Sequence, residues 1–261
     1  MNGGAPTADA LLDALEATWP CAHREEDGGL VLRDDAPEAG SRVRSARLSA
    51  GGEPIDWDGA ADRIERFYAE RGGPALLQAA RADAAALDTA QNPFETALQA
   101  KGFAPFDPCV LTVGDCAAVA ERAAGAGVHA VEILTPLAIL DRFWEGGGVG
   151  AARRAVMRRA LDGGLAGGVL AARIDSRFQG AAFWAVAPGG LAFVHAVHVA
   201  PEARRKGGAR ALLGFAAERA AEAGAQSIGA ATRVANAPAR ALFEGCGFHE
   251  TGGYVYWRKA L

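Results

Sequence analysis

The chain is short of cysteine. Cys21, Cys109, Cys116 and Cys246 are its only four, and no two of them make a C-x-x-C pair. That spacing excludes a thiolate zinc site and a disulfide scaffold, so no metal is expected, and it suits a reducing compartment. Positive charge is not in surplus either. Lys and Arg number 27 against 31 Asp and Glu, and the formal net charge of −4 offers a nucleic acid nothing to be drawn to. No apolar run approaches the roughly 18 residues of a membrane span. The first twenty residues have neither the basic start nor the apolar stretch of a secretory leader. The expectation is a soluble, cytoplasmic protein with no membrane or nucleic-acid partner.

What the chain does have is a basic, glycine-containing turn between a strand and a helix. Phe193, Val194, Val197 and Val199 mark an apolar strand over Leu191–Val199, and Pro201 ends it. Leu212, Leu213, Ala216, Ala217 and Ala220 then follow with helical spacing. Between the two stand Arg204, Arg205, Lys206, Gly207, Gly208 and Ala209. The glycines let the backbone approach a ligand closely and leave N–H groups pointing outward. Those donors, the cations and a helix dipole worth about 0.3–1 kcal/mol all favour an anion at one point. A pyrophosphate fits. The turn lacks the G-x-x-x-x-G-K-[ST] spacing of a nucleoside-triphosphate loop and the G-x-G-x-x-G of a dinucleotide fold. Taken alone, such a turn is also readable as a solvated loop.

The pattern Arg204-x-x-Gly207-x-Ala209 resembles the acyl-CoA pyrophosphate loop of the GCN5-related N-acetyltransferase (GNAT) superfamily, (Gln or Arg)-x-x-G-x-(Gly or Ala). Flanking residues extend the resemblance. Val197, His198 and Val199 are similar to the family's fourth strand, which a bulge parts from the fifth so that the pantetheine arm of CoA can lie between them. Ser227–Thr232 would be that fifth strand. Asn236 to Phe248 resemble the Asn-bearing loop, following helix and Gly-Phe turn of the family, so that Asn236 either contacts pantetheine or caps the helix. The resemblance implies an α/β fold with a mixed, mostly antiparallel sheet flanked by helices. It also implies acetyl-CoA as acyl donor and a small-molecule amine as acceptor.

At 261 residues the chain exceeds one such domain, and half of it is hydrophobic, enough for two cores. A shift of 145 residues sets Leu98–Phe103 against Phe243–Phe248 and Cys109–Thr112 against Tyr254–Trp257. In front of the first, Ala60–Arg71 reads as a helix and Ala75–Ala80 as a strand, the order repeated at Ala209–Ala223 and Ser227–Thr232. The expected division is residues 1–126, a degenerate first half, and 127–261, an acyl-CoA-binding second half, with a linker at Gly125–Gly127. This resembles the tandem members of the family. Between a strand near Val43–Leu48 and the helix at Ala60, the first half has Glu53, Asp56 and Asp58 where the second half has its basic loop; these acids would repel a pyrophosphate. Its expected role is to pack on the second half and shape the acceptor pocket. Val128–Leu134 reads as a strand and Thr135–Leu161 as helical, broken at Glu145–Gly148 by a lid-like glycine run. Arg153, Arg154, Arg158 and Arg159 read as a solvated helical face.

An amine attacks a thioester only after losing its proton, so a base is needed. His195, on the strand that resembles the family's fourth, is the first candidate, since an imidazole titrates near pH 6.5; a His merely packed on a strand is the alternative. Glu132 is the second candidate. Together with Asp141 and Glu145 it would greet a cationic acceptor. Phe243 stands where relatives often carry a Tyr that protonates the departing thiolate, and it could pack on pantetheine instead; Tyr254, Tyr256 or Cys246 are other donors. The cofactor-binding set is then Val197, His198, Val199, Arg204, Arg205, Lys206, Gly207, Gly208, Ala209, Asn236 and Phe243. A non-catalytic acyl-CoA-binding module is the competing function. A monomer or a homodimer is expected.

Overall fold

The computed structural model describes residues 6–49, 56–82, 90–124, 127–134 and 138–261. Much of the expected linker, Gly125 and Ala126, and most of the acidic stretch, 50–55, lie outside them. Helix α1 (Ala8–Thr18) opens on a Thr7 cap and buries Leu11, Leu12 and Leu15. Strands β1 (His23–Asp27), β2 (Leu30–Asp34) and β3 (Arg47–Leu48) form a small sheet. The expected strand near Val43–Leu48 is mostly absent. Its first residue, Val43, ends a 3-10 turn, Ser41–Val43, and packs into a core with Trp19, Val156 and Met157.

There follow α2 (Trp57–Ala69), β4 (Ala75–Arg81), α3 (Pro93–Ala100), β5 (Ala104–Asp115), α4 (Cys116–Ala123) and β6 (His129–Ile133). The chain continues through α5 (Ala138–Gly146), α6 (Ala151–Asp162), β7 (Gly167–Ile174), β8 (Arg177–Val186) and β9 (Leu191–Val199). It closes with α7 (Gly208–Glu222), β10 (Ser227–Arg233), α8 (Ala237–Gly245) and β11 (His249–Lys259). Eight strands join one mixed sheet in the order β4-β11-β5-β10-β9-β8-β7-β6.

The middle of that sheet is interleaved. β5, from the first part of the chain, lies between β10 and β11, and β11, the last strand, lies between β4 and β5. The register is symmetric about one pair: Cys109 faces Tyr254, Pro105 faces Trp257 and Thr112 faces Glu250. Adding 145 to Pro105, Cys109 and Thr112 gives Glu250, Tyr254 and Trp257, the same partners in reverse order; the pairs Phe106–Tyr256 and Val110–Gly253, beside the register shifts, fall outside the relation. Helices α3 and α8 share the relation in their prolines, Pro93 and Pro238, and begin alike although their caps are 144 residues apart. Asn92 and Asn236 cap them by accepting the backbone N–H of Glu95 and of Ala239, and a proline fills an early helical position in each.

Helices α4 and α7 pack on one face of the sheet, around Leu170, Trp184, Val194, Leu212 and Phe243. Helices α1, α5 and α6 lie on the other, around Phe183, Phe193, Trp144 and Met157. Helix α1 spans the strands contributed by both ends of the chain, packing on β4, β8, β9 and β11. Glu16 holds it there. This carboxylate accepts from Arg24, Arg33 and Arg47; burial alone would raise its pKa, but the pull of Arg33 and Arg47 sets it below the usual range.

Candidate functional site

β9 and β10 run parallel but pair at only three positions, Leu191 with Ser227, Ala192 with Ile228 and Phe193 with Gly229. Beyond them β9 bulges. Ala196 sits at φ +51°, and the register with β8 shifts so that His195 faces Phe183 while His198 faces Ala181. In a regular strand residues three apart point to opposite faces; the extra residue of the bulge puts both imidazoles on the face of Phe183 and Ala181, under α1, α5 and α6. A cleft therefore opens between β9 and β10, with His195 and His198 along one wall.

His195 is buried among aromatic rings: Trp19 at 4.9 Å, Phe193 at 5.7 Å and Phe183 at 6.0 Å between centroids. Thr18 Oγ1 lies 2.9 Å from Nε2 and 2.7 Å from the carbonyl of Ala14. The hydroxyl has one proton, which goes to that carbonyl, so Nε2–H donates to Thr18 and Nδ1 carries the lone pair. Nδ1 is buried and makes no hydrogen bond among the described residues. Burial, and then the charge of Arg42, push the imidazole well below its ordinary pKa, leaving it neutral. His198 is half-buried against Phe143 and beneath Gly147, where a Cβ would come within 2.6 Å of the ring. The glycine at 147 is what lets the α5–α6 connection lie flat on it. Burial and Arg204 lower this pKa too.

Glu132 stands on the opposite face. Its Oε1 accepts from Trp184 Nε1 at 3.2 Å, within the core beneath α7, so the structure does not bring it together with His195. The other acids expected at an acceptor are also engaged. Arg154 pairs with Asp141 at 3.1 Å and with Glu145 at 2.8 Å. The reading of a solvated face holds for Arg153 and Arg158, which are exposed, but not for Arg154, which is buried, nor for Arg159, which bonds Asp35 and the carbonyl of Pro20, because that side of α6 packs on the first part of the chain.

At the cleft mouth, Gly207 at φ +87° caps α7 with no side chain, so the first N–H groups of this 15-residue helix are left open. Gly208 is held tight to β7, its absent Cβ lying 2.5 Å from Ile174 Cδ1. Arg204, Arg205 and Lys206 are exposed around this end; Arg204 bonds the Val199 carbonyl and Lys206 pairs with Asp175. Ala209 lies in the first turn, and Val197 and Val199 flank His198 on β9. The N-terminus of α2 is the reverse case: Asp56 caps it and Asp58 fills its first turn, so carboxylates already occupy what an anion would use. Asn236 serves as a cap on α8 and donates Nδ2–H to Thr232. Phe243 is buried in the core against Phe248 with the thiol of Cys246, while Tyr254 and Tyr256 are buried on the α1 face.

Sequence reasoning missed Thr18 and Trp19, which the fold carries to His195 from the first part of the chain. Nothing local marks them. Among the described residues no group of His, Cys, Asp and Glu could hold a metal, and no helix is long and apolar enough to cross a membrane.

Residues 118–248 match the model of the acetyltransferase (GNAT) family. A search of curated proteins returns no match. Among solved structures, the chain is similar to a GCN5-related N-acetyltransferase from Kribbella flavida, with 16% identity, TM-score 0.69 and coverage of 99% of this chain and 97% of that one. It is similar to a functionally unknown protein from Staphylococcus epidermidis at 11% identity and TM-score 0.63, covering 90% and 92%. A tandem GNAT protein from the clavulanic acid biosynthesis pathway matches at 18% identity and TM-score 0.58, covering 98% and 89%. At these identities the likeness is one of fold.

Proposed function

From the premise that this chain belongs to the GNAT acetyltransferase family, whose chemistry is acyl transfer, we propose that it moves an acetyl group from acetyl-CoA to the amine of a small molecule, by direct attack in a ternary complex. The observation that carries this reading is the cleft: two parallel strands that part after Phe193, with an uncapped helix N-terminus and three cations at its mouth. The diphosphate of CoA takes the open N–H groups at Gly207–Ala209, with Arg204, Arg205 and Lys206 around it. The pantetheine arm runs between β9 and β10, where Val197 to Val199 offer unpaired backbone groups to it and to the thioester carbonyl.

The balance of the step is simple. The amine nitrogen bonds to the acyl carbon, the carbon–sulfur bond breaks, and its electron pair leaves with sulfur. The amine proton goes to His195 Nδ1, directly or through one water, and the thiolate, with an ordinary pKa near 8.5, takes a proton from solvent. Glu132 has no part in this assignment, because it lies across the sheet. In the same reading residues 1–126 are a degenerate tandem partner that closes the acceptor side. The symmetric β5–β11 register and the carboxylate-capped α2 support that view.

Calorimetry with acetyl-CoA and measurement of thiol release across an amine panel test the reading. Gly207→Glu should weaken CoA binding at least tenfold, about 1.4 kcal/mol. His195→Ala should keep CoA affinity while kcat/KM drops by about 10² or more. CoA binding without turnover on any amine would instead make the chain a ligand-binding module.

A further inference from the structure

The helices over the cleft are tied to the bulge itself. Trp144, on α5, is buried and directs its indole Nε1–H at the Ala196 carbonyl, 3.3 Å away. Ala196 is the residue at φ +51°, and it has no partner in the register with β8 or in that with β10. A bulge leaves its extra residue out of the ladder, and a backbone held at positive φ persists only where its surroundings fix it. The indole, a donor without an acceptor, supplies the bond that the ladder does not.

This contact is braced from behind. The Trp144 carbonyl accepts from the backbone of Gly147 at 2.9 Å and of Val149 at 2.8 Å. Arg154, on α6, donates through Nη1 to the carbonyls of Val149 at 3.0 Å and Asp141 at 3.3 Å, and through Nη2 to the Glu145 carboxylate. Beside the indole, Phe143 lies 4.9 Å from the His198 ring, and Gly147 lies flat on that ring. The glycine run at 146–148, lid-like in sequence, is therefore part of a strap fastened to β9 at both Ala196 and His198.

The peptide unit between Ala196 and Val197 is planar and trans, so its N–H lies antiparallel to its carbonyl. With that carbonyl drawn to the indole, the Val197 N–H points away from it. We propose that Trp144 is a positioning residue for acyl transfer: its indole N–H fixes the Ala196–Val197 peptide and so aims the Val197 N–H at the thioester arm. This rests on the acyltransferase reading, in which Val197 to Val199 meet that arm. One hydrogen bond then ties the acceptor-side helices to the donor cleft.

Trp144→Phe keeps a ring in the core and removes the donor. In the full chain carrying it, amide hydrogen exchange over residues 194–199 should be about tenfold faster than in the parent, with α7 and β10 unchanged. Thiol release from acetyl-CoA with the best amine of the panel should show kcat lowered about tenfold. Binding of ADP, which carries the diphosphate without the arm, should stay at the parent value. A loss of packing alone would lower the thermal midpoint and leave kcat in place. Should that chain fail to fold, Gly147→Ala is the second variant: its Cβ would meet the His198 ring at 2.6 Å, lift the strap off β9 and give the same pattern. Unchanged exchange at the bulge, or unchanged kcat, in a folded variant overturns the proposal. Faster exchange at the bulge in a protein whose parent binds neither ADP nor acetyl-CoA would uphold the hold on Ala196 while sinking the acyltransferase reading.

Discussion

Thr18 hands its only proton to the Ala14 carbonyl, so it can meet His195 only as an acceptor, and the tautomer with a free Nδ1 follows. Thr18→Val removes that acceptor and leaves a buried N–H unsatisfied, a loss of about 1–3 kcal/mol in stability. As a positioning residue it should lower kcat about tenfold, some 1.4 kcal/mol of barrier, with CoA affinity unchanged; equal kcat in the variant would show that the tautomer does not matter. The pH dependence has a definite sign. Burial and then Arg42 depress the His195 pKa, so the imidazole stays unprotonated below pH 6.5, and with His195 as the proposed base the acid limb of kcat/KM belongs below that value. Removing the Arg42 charge raises the pKa and should move the limb upward. A pH-rate profile of both proteins checks this.

The bulge in β9 does for its strand what no single side chain can: it turns two histidines three residues apart onto one face and ends the pairing with β10. Ala196 holds it at φ +51°, where an L-residue is strained by roughly 1–2 kcal/mol. Ala196→Gly should therefore leave stability and activity near the parent. Ala196→Val, β-branched in that conformation, should lose at least about 1 kcal/mol and a larger share of turnover, read by urea unfolding and thiol release. Two helix ends show a related contrast. Asp56 and Asp58 occupy the start of α2, while α7 begins on a bare glycine, and only the second leaves its first N–H groups without a side-chain cap.

Across the whole molecule, the central sheet is built by strands from both ends of the chain. Residues 127–261 alone would lose β5 from between β10 and β11, and β11 would lose both neighbours. Expressed by itself, this segment should lack a cooperative thermal transition by circular dichroism, although 118–248 alone suffices to match the family. Co-expression with residues 1–126 should restore the transition. A stable, CoA-binding fragment would show the interleaving to be dispensable.

The strand at Leu191–Val199, the basic turn and the helix behind it were legible because each is local: a short apolar run, a glycine pair and a helical period are written in consecutive residues. The GNAT resemblance rested on those same residues. The 145-residue echo sets Cys109 against Tyr254, and these two are partners across β5 and β11. The bulge that decides which way His198 points could be anticipated, but not its position at Ala196. What sequence alone could not supply was who stands opposite whom. The partners of Glu132, Asp141 and Glu145 and the hydroxyl behind His195 depend on contacts between residues that are not neighbours in the chain. Such contacts are decided by which elements share a face of the sheet, and only the folded chain settles that.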